Sequence, residues 1–377
     1  MNIATKGTVG LGAPRPLDVE VRTFKPIKLW AAMGVFFAVL ETWVIVTWIT
    51  SGKAKETTAG RSVEPGWMKF GVTFQEILYC IVALIGCYFF VVRPWRRDKH
   101  ISLDGMLFLI FALLYWQDPI TNYIQPYFGY NADFFNLGSW VTNIPGWISP
   151  HGNLLPEPLI ASGPIYPGWV FLFIVIANYV MRKAKERYPR LGTFGLVMVC
   201  FGFLALSDLV FECIFVRTGY YVYAATWGKD ITLFSGHYYQ FPLYEPVLWG
   251  GVWTVWACLR YFKNDKGQTV AERGVDELRS GAKPRRGLRF LALYGICNGI
   301  FMLYNVPMIW VSTQVNNWST DVQSRPYLTD GMCGPGTTYA CPGPGTPIFK
   351  PHSIHITPEG KIIVPQGVKL PPLPGHD

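Results

Sequence analysis

Long apolar runs alternate along the chain with short polar or basic stretches. Seven runs of about twenty residues can be recognised, and this is the length that an α-helix needs to cross the hydrocarbon core of a bilayer. They extend approximately from Leu29 to Thr50, Phe70 to Val92, Leu103 to Tyr123, Gly168 to Met181, Thr193 to Val216, Phe241 to Phe262 and Phe290 to Val311. The pattern predicts an all-α, polytopic membrane bundle of about seven transmembrane helices.

The spans divide the chain into three predicted parts. Residues 1–27 form a polar N-terminal segment, residues 28–313 form the transmembrane domain with a long loop over 118–167, and residues 314–377 form a tail rich in Pro and Gly. The first 27 residues do not resemble a cleavable signal peptide, so we expect the first helix to remain in the mature protein. The composition of the tail favours an irregular extension.

Basic residues indicate how the helices are oriented. Lys and Arg are concentrated in the loops 93–99, 182–190 and 260–289, whereas residues 117–167 contain neither. Cytoplasmic loops carry an excess of Lys and Arg. We therefore expect a multi-pass protein of the cell membrane with a cytoplasmic N-terminus and an extracytoplasmic tail.

Composition agrees with this interpretation. The chain is 50% hydrophobic and only 15% charged, while charged residues make up about a quarter of an ordinary soluble domain. The net charge of +9 comes from clusters beside the apolar runs and not from one helix face. Membrane lipids are therefore the expected partners of these clusters, and nucleic acid is not expected.

The cysteines and histidines show no spacing typical of a metal site. Cys333 and Cys341 lie outside the spans, on the side where disulfides persist, and a bridge between them is possible. The other six cysteines are interpreted as packing residues. His352 and His355 are close in sequence but have no further ligands nearby, so we predict neither a metal nor another cofactor.

The loop over 118–167 is unusually long and rich in aromatic residues. Such a loop is too apolar to extend freely into water. Two interpretations are open: a cap or re-entrant element folded back on the outer ends of the helices, or an aromatic belt at the membrane interface.

Six carboxyl groups lie within the predicted spans, all in the outer half of the membrane. An ionisable group there costs about 2.5 to 3.5 kcal/mol on insertion scales, so six at one depth favour a functional site. They are Glu41, Glu76, Asp118, Asp208, Glu212 and Glu245. Each one alone can also be a hydrogen-bonded structural group, and this alternative is strongest for Glu41 and Glu76.

Four of these carboxyls are our candidate catalytic residues. Asp208 and Glu212 are four residues apart, which places both on one helix face, where one can act as a general acid and the other as a base. Glu245 lies between two prolines and Asp118 precedes Pro119, a setting typical of interrupted spans that form binding sites. We expect substrate contacts from nearby motif residues, namely Tyr115, Trp116, Asn122, Trp140, Tyr244 and His237. For His237 a solvent-exposed role is the alternative.

Several motifs together resemble a known family. They are Tyr115-Trp-Gln-Asp-Pro119, Asn122-Tyr123, Tyr130-Asn131, Gly138-Ser-Trp140, Pro145-Gly-Trp147, Ser207-Asp208 and Pro242-Leu-Tyr-Glu-Pro246. Over about residues 28–313 the chain resembles the actinobacterial AveC-like spirocyclases of secondary metabolism. The resemblance implies an enzyme that closes a dihydroxy-ketone into a spiroketal with loss of water and can also dehydrate the product.

The expected function is therefore that of a cofactor-independent membrane cyclase or dehydratase. Its substrate would be a lipophilic polyketide-, lipid- or isoprenoid-like molecule that reaches the site from the bilayer. A proton-coupled transporter and a non-catalytic membrane protein are the alternatives. The sequence does not identify the substrate or the oligomeric state.

Overall fold

The computed structural model describes residues 25–58, 64–278 and 281–368. Within these ranges long helices follow one another in alternating directions. Their bounds are α1 Pro26–Thr50, α2 Gly66–Asp98, α3 Leu103–Leu114, α4 Ser162–Arg187, α5 Thr193–Thr218, α6 Glu245–Tyr261 and α7 Ala282–Gln314. A 3₁₀ segment, Tyr115–Asn122, continues α3. The predicted helical bundle is confirmed.

Among the described residues, six helices are long and apolar enough to cross a membrane when α3 is counted together with its 3₁₀ continuation as Leu103–Asn122, and this indicates a membrane protein. The exception is α6, which has 17 residues and a length of about 25 Å. It begins at Glu245 and not at the predicted Phe241, because Phe241 and Pro242 pair in a strand. The count of seven spans and the side on which each terminus lies stay predictions.

Short strands tie together the loops at one end of the bundle, which we call the capped end. Strand β1 (Phe128–Tyr130) pairs with β2 (Tyr221–Tyr223), and β3 (Ala225–Thr226) pairs with β6 (Asn317–Trp318). The ladder of β4 (Thr232–Leu233) with β5 (Phe241–Pro242) lies in the loop before α6, and that of β7 (His355–Ile356) with β8 (Ile362–Ile363) lies in the tail. All four ladders are antiparallel.

The long aromatic loop packs onto the helices at the capped end. Tyr127, Phe134 and Trp140 are buried, and the Trp140 ring contacts Trp48 of α1 at 5.6 Å between ring centroids. The side chain of Glu76 in α2 accepts a hydrogen bond from the Phe135 backbone at 2.8 Å. These contacts correspond to the cap that the sequence offered as one of two interpretations.

The tail is more ordered than its composition suggests. Val322, Tyr327, Leu328 and Met332 are buried in the cap, and the disulfide between Cys333 and Cys341 is formed. The tail therefore has only short regular elements, but its buried apolar side chains pack it against the cap. Prolines and glycines interrupt helices and strands, but the apolar side chains between them still bury against the cap.

Ion pairs hold the opposite end, where the basic clusters lie. The Arg260 guanidinium of α6 donates to both carboxylate oxygens of Asp104, at 2.9 and 2.8 Å, and to Asn178 of α4 at 2.7 Å. Glu272 is fully buried and pairs with Arg289 of α7. These charge-assisted bonds connect α3, α4, α6 and α7 at this end.

Candidate functional site

A cavity lies directly beneath the cap, and the empty space within it and its opening to solvent is about 780 Å³. Its walls come from the 3₁₀ end of α3, from α4, α5, α6 and α7, and from the strands β1 and β2. Four carboxyl-bearing residues line it: Asp118, Asp208, Glu212 and Glu245. The structure thus brings together all four candidate catalytic residues, which are spread over 128 positions of the chain.

Local structure explains how each carboxyl reaches the cavity. Asp208 and Glu212 are one turn apart on α5 and both face inwards. Glu245 is the first residue of α6, with Pro246 in the first turn, where a proline costs no helical hydrogen bond. Asp118 lies in the 3₁₀ segment just before Pro119.

Tyrosine hydroxyls donate to three of the four carboxyls. Asp118 accepts from Tyr166 at 2.5 Å and from Tyr130 at 2.6 Å. These two bonds give each oxygen of the Asp118 carboxyl a hydroxyl donor.

The two glutamates have one tyrosine donor each. Glu212 accepts a hydrogen bond from Tyr223 at 3.1 Å, and Glu245 accepts one from Tyr304 at 2.8 Å. In Glu245 only Oε1 is occupied, because Oε2 has no partner among the described residues. This residue is only 2% exposed, so the unpaired oxygen is buried as well.

Asp208 has the fewest hydrogen-bond donors of the four carboxyls. The residue is 3% exposed, and its Oδ2 has no hydrogen-bond partner in the part of the chain that the structure describes. A buried, unpaired polar group costs about 1 to 3 kcal/mol. An unpaired carboxyl that is retained beside a cavity at this cost in free energy is a candidate for a functional role.

Two tyrosines of β2 remain hydrogen-bond donors over a wide pH range. Burial, and next the negative charge of Glu212, raise the pKa of Tyr221 and of Tyr223 well above the ordinary value. Burial, and next the charge of Asp118, do the same to the pKa of Tyr130. These hydroxyls therefore keep their protons beside the carboxyls.

Aromatic rings form most of the remaining wall. Thirteen of the twenty lining residues are Phe, Tyr or Trp. A π-helical turn in α4, Tyr166–Val170, turns the Tyr166 and Trp169 side chains towards the cavity. Such turns are frequent at functional sites because they re-aim side chains within a helix.

None of the six residues expected to contact substrate lines this cavity. Three of them pack behind its wall. The Tyr115 hydroxyl donates to the Pro158 carbonyl at 3.2 Å, the Trp140 indole donates to the Trp116 carbonyl at 2.8 Å, and the Trp116 indole donates to Asn298 at 3.0 Å. Their positions are those of residues that support the cap.

The other three lie at the end of the 3₁₀ segment (Asn122), directly before α6 (Tyr244) and in the loop before α6 (His237). Asn122 accepts from the backbone N–H groups of Tyr127 and Phe128 at 3.0 and 3.2 Å, which shapes the chain before β1. The Tyr244 hydroxyl is 3.4 Å from the Trp227 backbone nitrogen. His237 is paired with Asp321 at 3.2 Å, and its side chain is about half exposed. The solvent-exposed alternative therefore describes His237 best.

Sequence analysis missed the tyrosines that hold the carboxyls. Tyr130 belongs to the Tyr130-Asn131 motif, but no signal in the sequence marks Tyr166, Tyr223 or Tyr304 as hydrogen-bond donors to a carboxyl. It also missed Glu157, a buried carboxyl in the cap whose pKa is raised well above the usual range by burial and next by the charge of Asp118. Glu157 escaped notice because it lies outside the predicted spans.

A pH effect on stability is expected from Glu64, which lies just before α2 and accepts from Asn131 at 2.6 Å. Burial, and next the neighbouring Asp133, raise its pKa from 4.5 to about 7. Between these values the unfolded chain ionises first, so stability is lost as the pH rises. After allowance for solvent screening, the loss is on the order of 1 kcal/mol.

Thermal unfolding in detergent at pH 5 and pH 8 measures this loss. Glu64→Gln should reduce the difference between the two pH values, whereas the same change at the exposed Glu56 should not. An equal pH dependence in wild type and Glu64→Gln would contradict the assignment.

The helical fold and the buried acidic cavity define a helical membrane protein with a potential acid/base site. Among the residues that the structure describes, no group of three or more His, Cys, Asp or Glu is arranged to hold a metal ion. The family model described as Spirocyclase AveC-like matches residues 95–328. The chain therefore belongs to the AveC-like spirocyclase family.

The match covers all four cavity carboxyls and most of the cap, but not α1 or most of α2. No curated protein and no solved structure gives a significant match to the chain.

Proposed function

We propose that this chain is a multi-pass cell-membrane enzyme, a cyclase or dehydratase of the spiroketal-forming type, which acts on a lipophilic substrate by acid/base catalysis without a cofactor. One observation carries the proposal: four carboxyls from three separate helical elements converge on a single aromatic cavity of about 780 Å³. Family membership supports the same reaction class.

The reaction consists of proton transfers and one loss of water. A substrate hydroxyl first adds to the ketone carbon and gives its proton to a carboxylate, while a carboxylic acid protonates the carbonyl oxygen, and the product is a hemiketal. A carboxylic acid then protonates the hemiketal hydroxyl, the C–O bond breaks, and water leaves an oxygen-stabilised cation. A second hydroxyl adds to this carbon and gives its proton to a carboxylate, which closes the spiroketal and restores the proton balance.

The hydrogen bonds suggest which carboxyl has which role. Asp208 is buried and its Oδ2 has no donor, so it is the group best suited to hold a proton and to act as the general acid. Glu212 is one turn away and accepts from Tyr223, which suits a base. Asp118 and Glu245 would stabilise positive charge on the substrate.

A seam between α4 and α5 offers a route for the substrate from the bilayer. Only side chains close this seam: the rings of Trp169 and Phe211 lie 4.9 Å apart, and both residues line the cavity and are partly exposed. The adjoining surface of α5 exposes apolar residues such as Leu206 and Val210. Because ring rotation can open such a seam without unfolding a helix, it supports access from the lipid.

The packing below the cavity favours an enzyme over a transporter. Phe111, Phe171 and Trp256 are fully or almost fully buried between the cavity and the basic end, with the Phe111 and Trp256 rings 5.0 Å apart. Arg260 and Asp104 close that end further. A transported substrate would need a path through these residues.

A comparison of metabolites tests the proposed function. Lipid extract of the native host would be incubated with membranes that carry wild type, no added protein, or Asp208→Asn with Glu212→Gln at equal expression, and then examined by mass spectrometry. We expect one lipophilic compound to isomerise or lose water only with the wild type. Identical extracts, or proton flux into proteoliposomes driven by the same compounds, would contradict the proposal.

A further inference from the structure

The described lining of the cavity contains four carboxyls and no Lys, Arg or His. Two buried carboxyl oxygens, Asp208 Oδ2 and Glu245 Oε2, have no hydrogen-bond partner in the described part of the chain. In the roles proposed above Asp208 holds the proton and the other three act as carboxylates, so an anionic ligand would be repelled and a ligand that carries positive charge is favoured.

The aromatic walls add a second, independent preference for positive charge. Trp249 and Trp253 of α6 and Trp169 of α4 line the cavity together with ten Tyr or Phe rings. The faces of aromatic rings attract cations, most strongly in desolvated sites, and Trp attracts them more than Tyr or Phe does. Rings of this kind surround a positive charge without competing for protons.

The lining of the site, thirteen of whose twenty residues are aromatic, favours an apolar body around that charge. Its aromatic lining would bury the apolar part of a ligand, and the carboxyls would pair with one charged centre. A primary ammonium like that of Lys is strongly hydrated, so its transfer from water into this cavity would cost more free energy than the transfer of a quaternary ammonium, whose charge is shielded by alkyl groups.

We propose that this cavity is a binding site for a lipophilic monocation. This proposal rests on the proposed function. The carboxyls and the aromatic walls would surround the oxygen-stabilised cation that forms when water leaves the substrate. A stable organic cation of similar size is then a mimic of that intermediate, and transition-state mimics bind more tightly than substrates.

A matched pair of probes tests the proposal without knowledge of the substrate. Benzyltrimethylammonium has a permanent charge, and neopentylbenzene has nearly the same shape with a neutral carbon in place of nitrogen. Binding would be measured by the thermal shift of the full chain in a maltoside detergent, which carries no ammonium group that could compete with the cation. We expect the cation to bind at least tenfold more tightly than the neutral probe, and equal affinities would overturn the proposal.

Variants locate the site. Glu245→Gln and Glu212→Gln should each weaken the binding of benzyltrimethylammonium at least fivefold, while Glu41→Gln, at a carboxyl in α1 that does not line the cavity, should leave it unchanged. If one cavity variant fails to fold, the other gives the answer. Unchanged affinity in a folded cavity variant would overturn the assignment.

The two proposals fail in different ways. Loss of turnover without loss of cation binding would refute the cyclase and leave the cation site intact. Turnover without preferential cation binding would refute only the cation site.

Discussion

Replacing Asp208 by Asn should lower the rate of product formation by about 10²- to 10⁴-fold, the usual contribution of a general acid or base. The amide has almost the same shape as the acid but cannot deliver the proton that expels water. Asp208 makes no hydrogen bond through Oδ2, so the substitution removes little structural support. The measurement is the initial rate of product formation by mass spectrometry, with membranes that contain equal amounts of protein.

Glu41→Gln is the matched control for this experiment. Glu41 lies within α1 and pairs with the Tyr294 hydroxyl of α7, away from the cavity. The Glu41→Gln variant therefore tests whether loss of any membrane-embedded carboxyl slows the reaction. The reaction rate of this variant should stay within about threefold of wild type, which corresponds to a change of less than 1 kcal/mol in the barrier. Equal losses in the two variants would show that Asp208 has no special role.

Gly295→Ala should destabilise the bundle by more than about 3 kcal/mol, because overpacking against a rigid backbone exceeds the ordinary cost of 1 to 3 kcal/mol. Gly295 of α7 lies against α1, and a Cβ atom there would lie 2.1 Å from the Trp30 carbonyl oxygen. Backbone cannot move aside as a side chain can, so α1 and α7 would have to separate. Small residues permit this close packing in membrane helices.

Gly299→Ala gives the matched control one turn further along α7. A Cβ atom at Gly299 would lie 3.3 Å from the flexible end of Met33, which can adjust. The substitution should be neutral or slightly stabilising, since Ala favours helix over Gly by about 1 kcal/mol. Thermal unfolding in detergent measures both variants, and similar unfolding temperatures would contradict the importance of the α1–α7 contact.

Much of the helical architecture follows from the sequence alone. Apolar runs of about twenty residues can satisfy their backbone groups in a membrane only as helices, so hydropathy locates them without knowledge of their neighbours. Their ends are less predictable: α4 extends over Ser162–Arg187 and not over the predicted Gly168 to Met181. Pro164, Pro167 and the basic residues after Met181 concealed its first and last turns.

The sequence was also sufficient to select the four carboxyls. A charged group within an apolar run is costly enough to be conspicuous, and a spacing of four residues places Asp208 and Glu212 on one helix face. Both signals are local, so they hold in any arrangement of the helices. Glu157 and Glu64 lie outside such runs, and no comparable signal marks them.

Only the tertiary structure decided what surrounds these carboxyls. Asp118 points into the cavity, while its neighbour Trp116 points to Asn298 of α7 and supports the cap, so adjacency in sequence was a poor guide to substrate contacts. The tyrosine partners come from distant segments: Tyr166 from α4, Tyr223 from β2 and Tyr304 from α7. Side-chain direction and helix packing set such contacts, and these depend on residues far apart in the chain, whereas membrane insertion and helical periodicity depend on residues close together.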